Sequence, residues 1–106
     1  KTCAGTLVTG KGKDGKARAT YLYHVADTKW TAEEYDAQAV VWQTALVPVI
    51  ALELLATGVW GGTGVKGPEE FDAKAFLDLM SSAYKQPYGV QDRNPENPSV
   101  MDEDWE

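Results

Sequence analysis

A single cysteine, Cys3, and a single histidine, His24, stand among 106 residues. One thiol closes no internal disulfide, which excludes a stapled secreted scaffold. One Cys and one His also fall short of a structural zinc site, so no metal is expected. Basic residues are few: Lys plus Arg is 10 against 16 Asp plus Glu, a formal net charge of -6. Phosphate binding needs a basic face, so a nucleic-acid binder is not expected. No charged region followed by an apolar core precedes Thr2–Val8, so no signal peptide is read, and the expected location is cytoplasmic. Lys1 stands where an initiator Met would, which leads us to expect the C-terminal segment of a longer protein, although a processed mature chain would begin the same way. What is present, 43% hydrophobic and 25% charged residues in one small-domain length, is the mix of a folded soluble chain.

Six of the ten basic residues lie within residues 1–29, and most of the acid lies beyond. The cluster from Lys11 to Arg18 surrounds Asp14-Gly15, a hairpin turn signal. Thr6–Thr9 leads in and Ala19–Val25 leads out, both rich in β-branched or aromatic residues. The lysines read as a solvated loop tip. Thr31-Ala32-Glu33-Glu34 is a capping-box pattern with Thr31 as N-cap. Ala37–Ala56 then runs twenty residues with one charge, Glu53. Its length suits a membrane span, but Gln38, Gln43, Thr44, Pro48 and Glu53 would place polar groups in hydrocarbon. No membrane is therefore expected, and the run reads as a buried, Pro48-kinked helix. Covering such a helix on all sides implies a missing domain or a partner subunit.

Gly58 suits the end of that helix, and Gly61–Gly67 reads as a connection. Asp72 caps a shorter helix, Ala73–Ala83, with Phe76, Leu77 and Met80 on one stripe. Pro87–Gln91 is a short strand, and residues 92–106 read as an acidic, solvated tail. The fold class expected is α+β: an antiparallel hairpin in a mixed sheet, packed by the kinked apolar helix and the shorter one.

Chemistry-bearing motifs are sparse. Gly62-Thr63-Gly64-Val65-Lys66-Gly67 matches G-x-G-x-x-G, but it follows a helix and leads into Pro68-Glu69-Glu70, where acid would face a pyrophosphate. It reads as a linker. His24 reads as structural, and Cys3 as a buried thiol without a base. Asp27 either ends its strand in a turn or faces a cleft. Gln38, Gln43 and Thr44 either bond neighbouring backbone or line a polar cleft. No paired carboxylates, Ser/His/Asp set or metal constellation emerges.

Thr2-Cys3-Ala4-Gly5, the turn Lys13-Asp14-Gly15-Lys16 and Tyr23-His24-Val25-Ala26-Asp27 resemble the C-terminal domain of the saccharopine dehydrogenase family, including its carboxynorspermidine dehydrogenase relatives. Ala37–Pro48 is similar to the family's Ser-Gln-Ala helix running into Thr-Gly-Val-Pro. Gly58-Val59-Trp60, Gly64-Val65, Pro68-Glu69-Glu70-Phe71-Asp72 and Phe76-Leu77 resemble its G-x-W … G-V-x-x-P-E-x-F-D-P-x-P-F stretch, and Pro87-Tyr88-Gly89-Val90 its closing strand. The likeness covers about residues 2–91, with departures. Leu46 replaces a glycine, Asp36 stands where glycine is frequent, and Ala73 and Ala75 replace prolines. Leu46 would narrow a cleft, so substrate identity is not carried over.

The resemblance implies a two-domain enzyme, with an N-terminal Rossmann domain that holds NAD or NADP and is absent from this chain. Residues 1–91 would be the substrate and dimerisation domain. The reaction class implied is reductive condensation of an amine with a carbonyl, on amino acid or polyamine-type substrates. Gln38 and Thr44, with Asp27 behind them, are the substrate-cleft candidates by position, and no catalytic residue is named. The implied partners are the Rossmann domain, a second copy as homodimer, and the small-molecule substrate. This chain alone should bind no dinucleotide and catalyse nothing. The alternative is a non-catalytic interaction module that dimerises through the apolar helix.

Overall fold

The computed structural model describes residues 1–98. The order is β1 (Thr2–Lys11), β2 (Ala17–Ala26), α1 (Thr28–Tyr35), α2 (Ala39–Ala56), a short 3-10 helix (Pro68–Glu70), α3 (Ala73–Ser82) and β3 (Tyr88–Arg93). The architecture is α+β, as expected. The chain divides into two compact units, one of Lys1–Thr2 and Val25–Pro87, the other of Cys3–His24 and the residues from Tyr88 onward.

The second unit is a sheet in the order β1-β2-β3. It is antiparallel throughout, which corrects the expected mixed sheet. The hairpin is longer than its β-rich runs, because the turn is tied at its base and no residue interrupts pairing. Gly12 N–H donates to the Lys16 carbonyl at 2.9 Å, and Asp14 Oδ1 accepts from Lys16 N–H at 3.0 Å. Gly15, at φ 76, supplies the left-handed residue this turn requires. β3 pairs with β2 from His24↔Tyr88 to Ala19↔Arg93, so the strand takes in Asp92 and Arg93, two residues read as tail. Of the expected acidic tail, residues 99–106 lie outside the described residues.

Two glycines let tyrosine rings lie flat across the sheet. A methyl group on Gly5 would sit 2.6 Å from Tyr21 Cζ and 2.7 Å from the Leu22 carbonyl oxygen. On Gly89 it would meet the Tyr23 ring. The two rings stack at 5.3 Å, and the Arg93 guanidinium covers Tyr21 at 4.9 Å. Since the Leu22 oxygen is backbone, Gly5→Ala is expected to destabilise by about 1–3 kcal/mol. Gly10→Ala, with nothing within 4 Å of the added methyl, should stay within roughly 0.5 kcal/mol. Paired urea melts check this, and equal midpoints for the two variants would contradict the packing.

The first unit holds the core: Ala26, Ala39, Trp42, Leu46, Ile50, Leu54, Trp60 and Met80 are buried together. Helix α1 starts earlier than the capping box implied. Asp27, not Thr31, is its N-cap, with Oδ1 accepting from Lys29 N–H at 2.8 Å. Thr31 is fully buried inside the helix, and its hydroxyl donates to the Thr28 carbonyl. The strand ends on Ala26, so the first acceptor available after it captures the helix start. Asp36 closes α1 at φ 50, a left-handed conformation that glycine adopts most readily and Asp tolerates.

Helix α2 spans eighteen residues and keeps Pro48 inside. Gly58, at φ 78, follows its C-cap, and the Trp60 amide reaches the Leu54 carbonyl at 3.0 Å. Asp72 caps α3 as expected, accepting from Lys74 N–H at 2.9 Å. Ala73 takes the first helical position, where a proline also fits. Met80 is buried on the expected stripe, with Phe76 and Leu77 half-buried beside it.

Candidate functional site

Helix α2 carries both the cleft candidates and the feature that departs most from expectation. At about 100° per residue, its buried side chains, Ala39, Trp42, Gln43, Leu46, Ile50 and Leu54, fall on one stripe roughly 120° wide. The rest of the circumference is exposed and still apolar: Val40, Val41, Val47, Val49, Leu52 and Leu55, with Leu52 67% exposed. The helix was expected to be buried, yet only 33% of it is buried within the described residues. The apolar residues of these five helical turns therefore outnumber what the described residues cover. Exposed apolar faces of this kind occur at protein–protein, membrane and ligand contacts alike. By length and composition alone α2 also meets the criterion for crossing a membrane.

The polar residues of α2 are accounted for one by one. Gln43 is buried, and its Nε2 donates to the Thr2 carbonyl at 3.2 Å, the backbone-bonding reading. Thr44 is exposed amid the apolar face, and its hydroxyl donates back to the Val40 carbonyl at 2.7 Å. That bond satisfies the hydroxyl within its own helix. Glu53, the run's one charge, accepts from the Tyr84 hydroxyl at 2.5 Å, which pushes the tyrosine's pKa up. Gln38 is exposed at the N-cap and makes no side-chain capping bond. Six residues separate it from Thr44, about 120° around the axis, so the two do not share a face. Leu46 lies in the core and is 4% exposed.

Asp27 serves α1 first. The Lys29 amide, with the Trp30 amide and the charge of Lys1 behind it, holds its carboxyl below the ordinary value of 3.8. Lys1 Nζ stands 4.0 Å away. A depressed carboxylate pKa contributes stability that is present above the unfolded value and lost as pH falls through the folded one. Stability should therefore decline as pH drops below about 4. Asp27→Asn, which caps without charge, should flatten that decline. Thermal melts from pH 6 to 2.5 check it, and identical acid limbs would count against the Asp27 contribution.

Two placements, those of Cys3 and Gln86, depart from the sequence reading, while His24 keeps its place in a strand. Cys3 is exposed rather than buried, with Sγ 3.8 Å from the Tyr21 hydroxyl, a contact that raises the tyrosine's pKa. It sits on the edge strand β1, which composition does not reveal. His24 is half-buried in β2, and burial lowers its pKa. Gln86, 2% exposed, donates from Nε2 to the Val25 carbonyl at 2.9 Å and to the Pro87 carbonyl at 3.2 Å. Its signal in the sequence was faint: an amide between Lys85, at φ 53, and Pro87.

Among the described residues, the Gly62–Gly67 loop does not fit a dinucleotide. Gly62–Gly67 follows α2 and ends at a three-residue 3-10 helix whose first turn holds Glu69 and Glu70. Lys66 Nζ is paired with Glu70 at 3.3 Å. Neither the strand before nor the helix after that a pyrophosphate loop needs is there. Among the described residues no group of three or more His, Cys, Asp or Glu side chains could hold a metal ion.

No family model matches the chain. It is 34% identical over 99 residues to a carboxynorspermidine synthase of Vibrio alginolyticus, covering 93% of this chain and 23% of that protein. It is 36% identical over 81 residues to a carboxynorspermidine synthase of Vibrio cholerae, covering 76% of this chain and 19% of that one. Both relatives agree with the resemblance carried by the motifs, and the chain spans about a fifth to a quarter of their length.

Proposed function

We propose that the chain is the C-terminal substrate-binding and dimerisation domain of an NAD(P)-dependent, saccharopine dehydrogenase-like oxidoreductase of amino acid or polyamine metabolism. The similarity to two carboxynorspermidine synthases along most of this chain carries the reading. The open apolar face of α2 supports it, because a domain severed from its partners leaves such a face uncovered. In the proposed reaction a primary amine condenses with a carbonyl and releases water to leave an imine. Hydride from the reduced nicotinamide and one proton then give a secondary amine.

The nicotinamide cofactor, NAD or NADP, belongs in this reading to a Rossmann domain outside the chain. What this chain contributes is the substrate side. Asp27, ionised at neutral pH, offers a carboxylate for a substrate ammonium. Gln38 offers an amide free of capping duty, and Thr44 marks the middle of the exposed face. The soluble cytoplasm is the proposed location. The test is the whole protein encoded at the locus: oxidation of its reduced cofactor should require both an amino compound and a carbonyl compound. Oxidation needing neither, or none with any pair, would overturn the reading.

A non-catalytic module dimerising through α2 is the second reading, favoured by the same exposed face. Leu52→Glu places a charge at its centre and should weaken self-association by about tenfold or more. Analytical ultracentrifugation measures that. Both readings expect the loss, and only the oxidation assay separates them.

A further inference from the structure

The hairpin tip gathers positive charge on a chain whose net charge is -6. Lys11, Lys13, Lys16 and Arg18 fall within eight residues, with Asp14 between them. No ion pair reaches Lys11, Lys13 or Lys16 among the described residues. Asp14 is committed to the turn, where its Oδ1 accepts from the Lys16 amide. Beside the tip lies an open groove of about 260 Å³, lined by residues 8–12, Arg18 and Thr20.

Two glycines shape this groove. A methyl group on Gly10 would touch nothing within 4 Å, so space stands open above that backbone. One on Gly12 would meet Arg18 Cδ at 2.8 Å, so the stem of Arg18 lies against the glycine. From there the guanidinium reaches across β2 to β3, with Nη2 3.8 Å from Asp92 Oδ1. The Thr20 hydroxyl donates to that same oxygen at 3.2 Å. Two donors lining the groove thus converge on one carboxylate oxygen. The Arg18 and Asp92 side chains are 62% and 78% exposed, so their pairing is weak and easily exchanged. The four cations less the carboxylates of Asp14 and Asp92 leave a local charge of +2.

We propose that the groove binds a phosphate dianion, which takes over the Arg18 and Thr20 donors from Asp92 while Lys11 supplies a further cation. The planar guanidinium fork matches two phosphate oxygens, and the local charge matches a dianion. Lys13 and Lys16 lie outside the lining and add field rather than contact. Asp92 is a built-in competitor that sets the affinity. The site is open, so binding weakens as salt shortens the screening length to about 8 Å at physiological strength. The inference is independent of the proposed enzymatic role and uses none of its candidate residues.

Titration of the whole chain with inorganic phosphate at about pH 8, where the ligand is a dianion, tests it by backbone amide NMR. Chloride is exchanged out to hold ionic strength constant. Amides of residues 8–12 and 18–20 should shift and saturate, with a Kd on the order of 1 mM. Arg18→Gln should weaken binding about tenfold. Asp92→Asn keeps an acceptor for Thr20 and removes the competing charge, so it should tighten binding about threefold or more. Both side chains are more than half exposed, so neither change threatens the fold. Phenyl phosphate binding more tightly than phosphate would identify a phosphomonoester whose organic group rests on Val8, an exposed apolar side chain of the lining. Phenyl phosphate binding no more tightly would identify free phosphate. Shifts that never saturate, an Arg18→Gln variant that binds as well as the parent, or succinate binding as tightly as phosphate would each overturn the proposal.

Discussion

Trp60→Ala is expected to lower stability by about 3–5 kcal/mol, the largest loss of any single truncation considered for this chain. The indole is 7% exposed and stacks on Phe71 with centroids 4.7 Å apart and planes 13° from parallel. Phe76 stacks beside it at 5.8 Å, and Nε1 donates to the Asp72 carbonyl at 3.1 Å. One side chain thus joins the end of α2, the segment before α3 and the cap of α3 itself. Trp60→Phe keeps an aromatic ring and loses the N–H donor, so it should cost less, with about 1 kcal/mol of the loss from the hydrogen bond. Urea unfolding followed by far-UV circular dichroism measures both. Equal losses for the two variants would mean that the stack contributes little.

Ile50→Ala comes next, with an expected loss of about 2–5 kcal/mol, and Ile50→Val about 0.5–1.5 kcal/mol. Ile50 is fully buried at the centre of the inner stripe of α2. Its neighbour Leu52 carries a similar side chain on the same helix, two-thirds exposed. Leu52→Ala should therefore change the stability of the chain by no more than about 0.5 kcal/mol. The contrast matters more than either value, because the run has no amphipathic pattern to separate its faces. If Leu52→Ala cost as much as Ile50→Ala, the outer face would be covered and the inferred interaction surface would vanish.

Parts of this fold could be read directly from residues. Asp14-Gly15 between β-rich runs announced the hairpin, and Asp72 before the Phe76, Leu77 and Met80 stripe announced α3. Both signals are local: a turn needs a left-handed glycine, and a cap needs an acceptor one residue before the helix. The start of α1 is ambiguous in the sequence because Asp27 and Thr31 both offer a cap. Where strand pairing stopped decided between them. The expected mixed sheet became antiparallel once β3 paired with β2, a choice made by long-range contacts. Cys3 could not be recognised as exposed without knowing that β1 lies at a sheet edge.

The candidate site was less legible. Gln43 and Thr44 are adjacent polar residues in one apolar run, yet one is buried against the Thr2 carbonyl and the other faces outward. A helix uniformly apolar around its axis carries no information about which third faces its own core. Asp27 was weighed as turn residue or cleft residue, and its carboxylate now caps α1. Gln86 stands in no pattern, as an isolated glutamine, and only the fold places Val25 and Pro87 around it.

The coding sequence upstream of Lys1 tests the central proposal most directly. An open frame of several hundred codons, with a strand running into G-x-G-x-x-G near its start, is the predicted result. It would supply the dinucleotide domain that Gly62–Gly67 does not form and a covering surface for α2. A start codon or leader directly before Lys1 would contradict the account, and self-association alone would then have to cover the exposed face of α2.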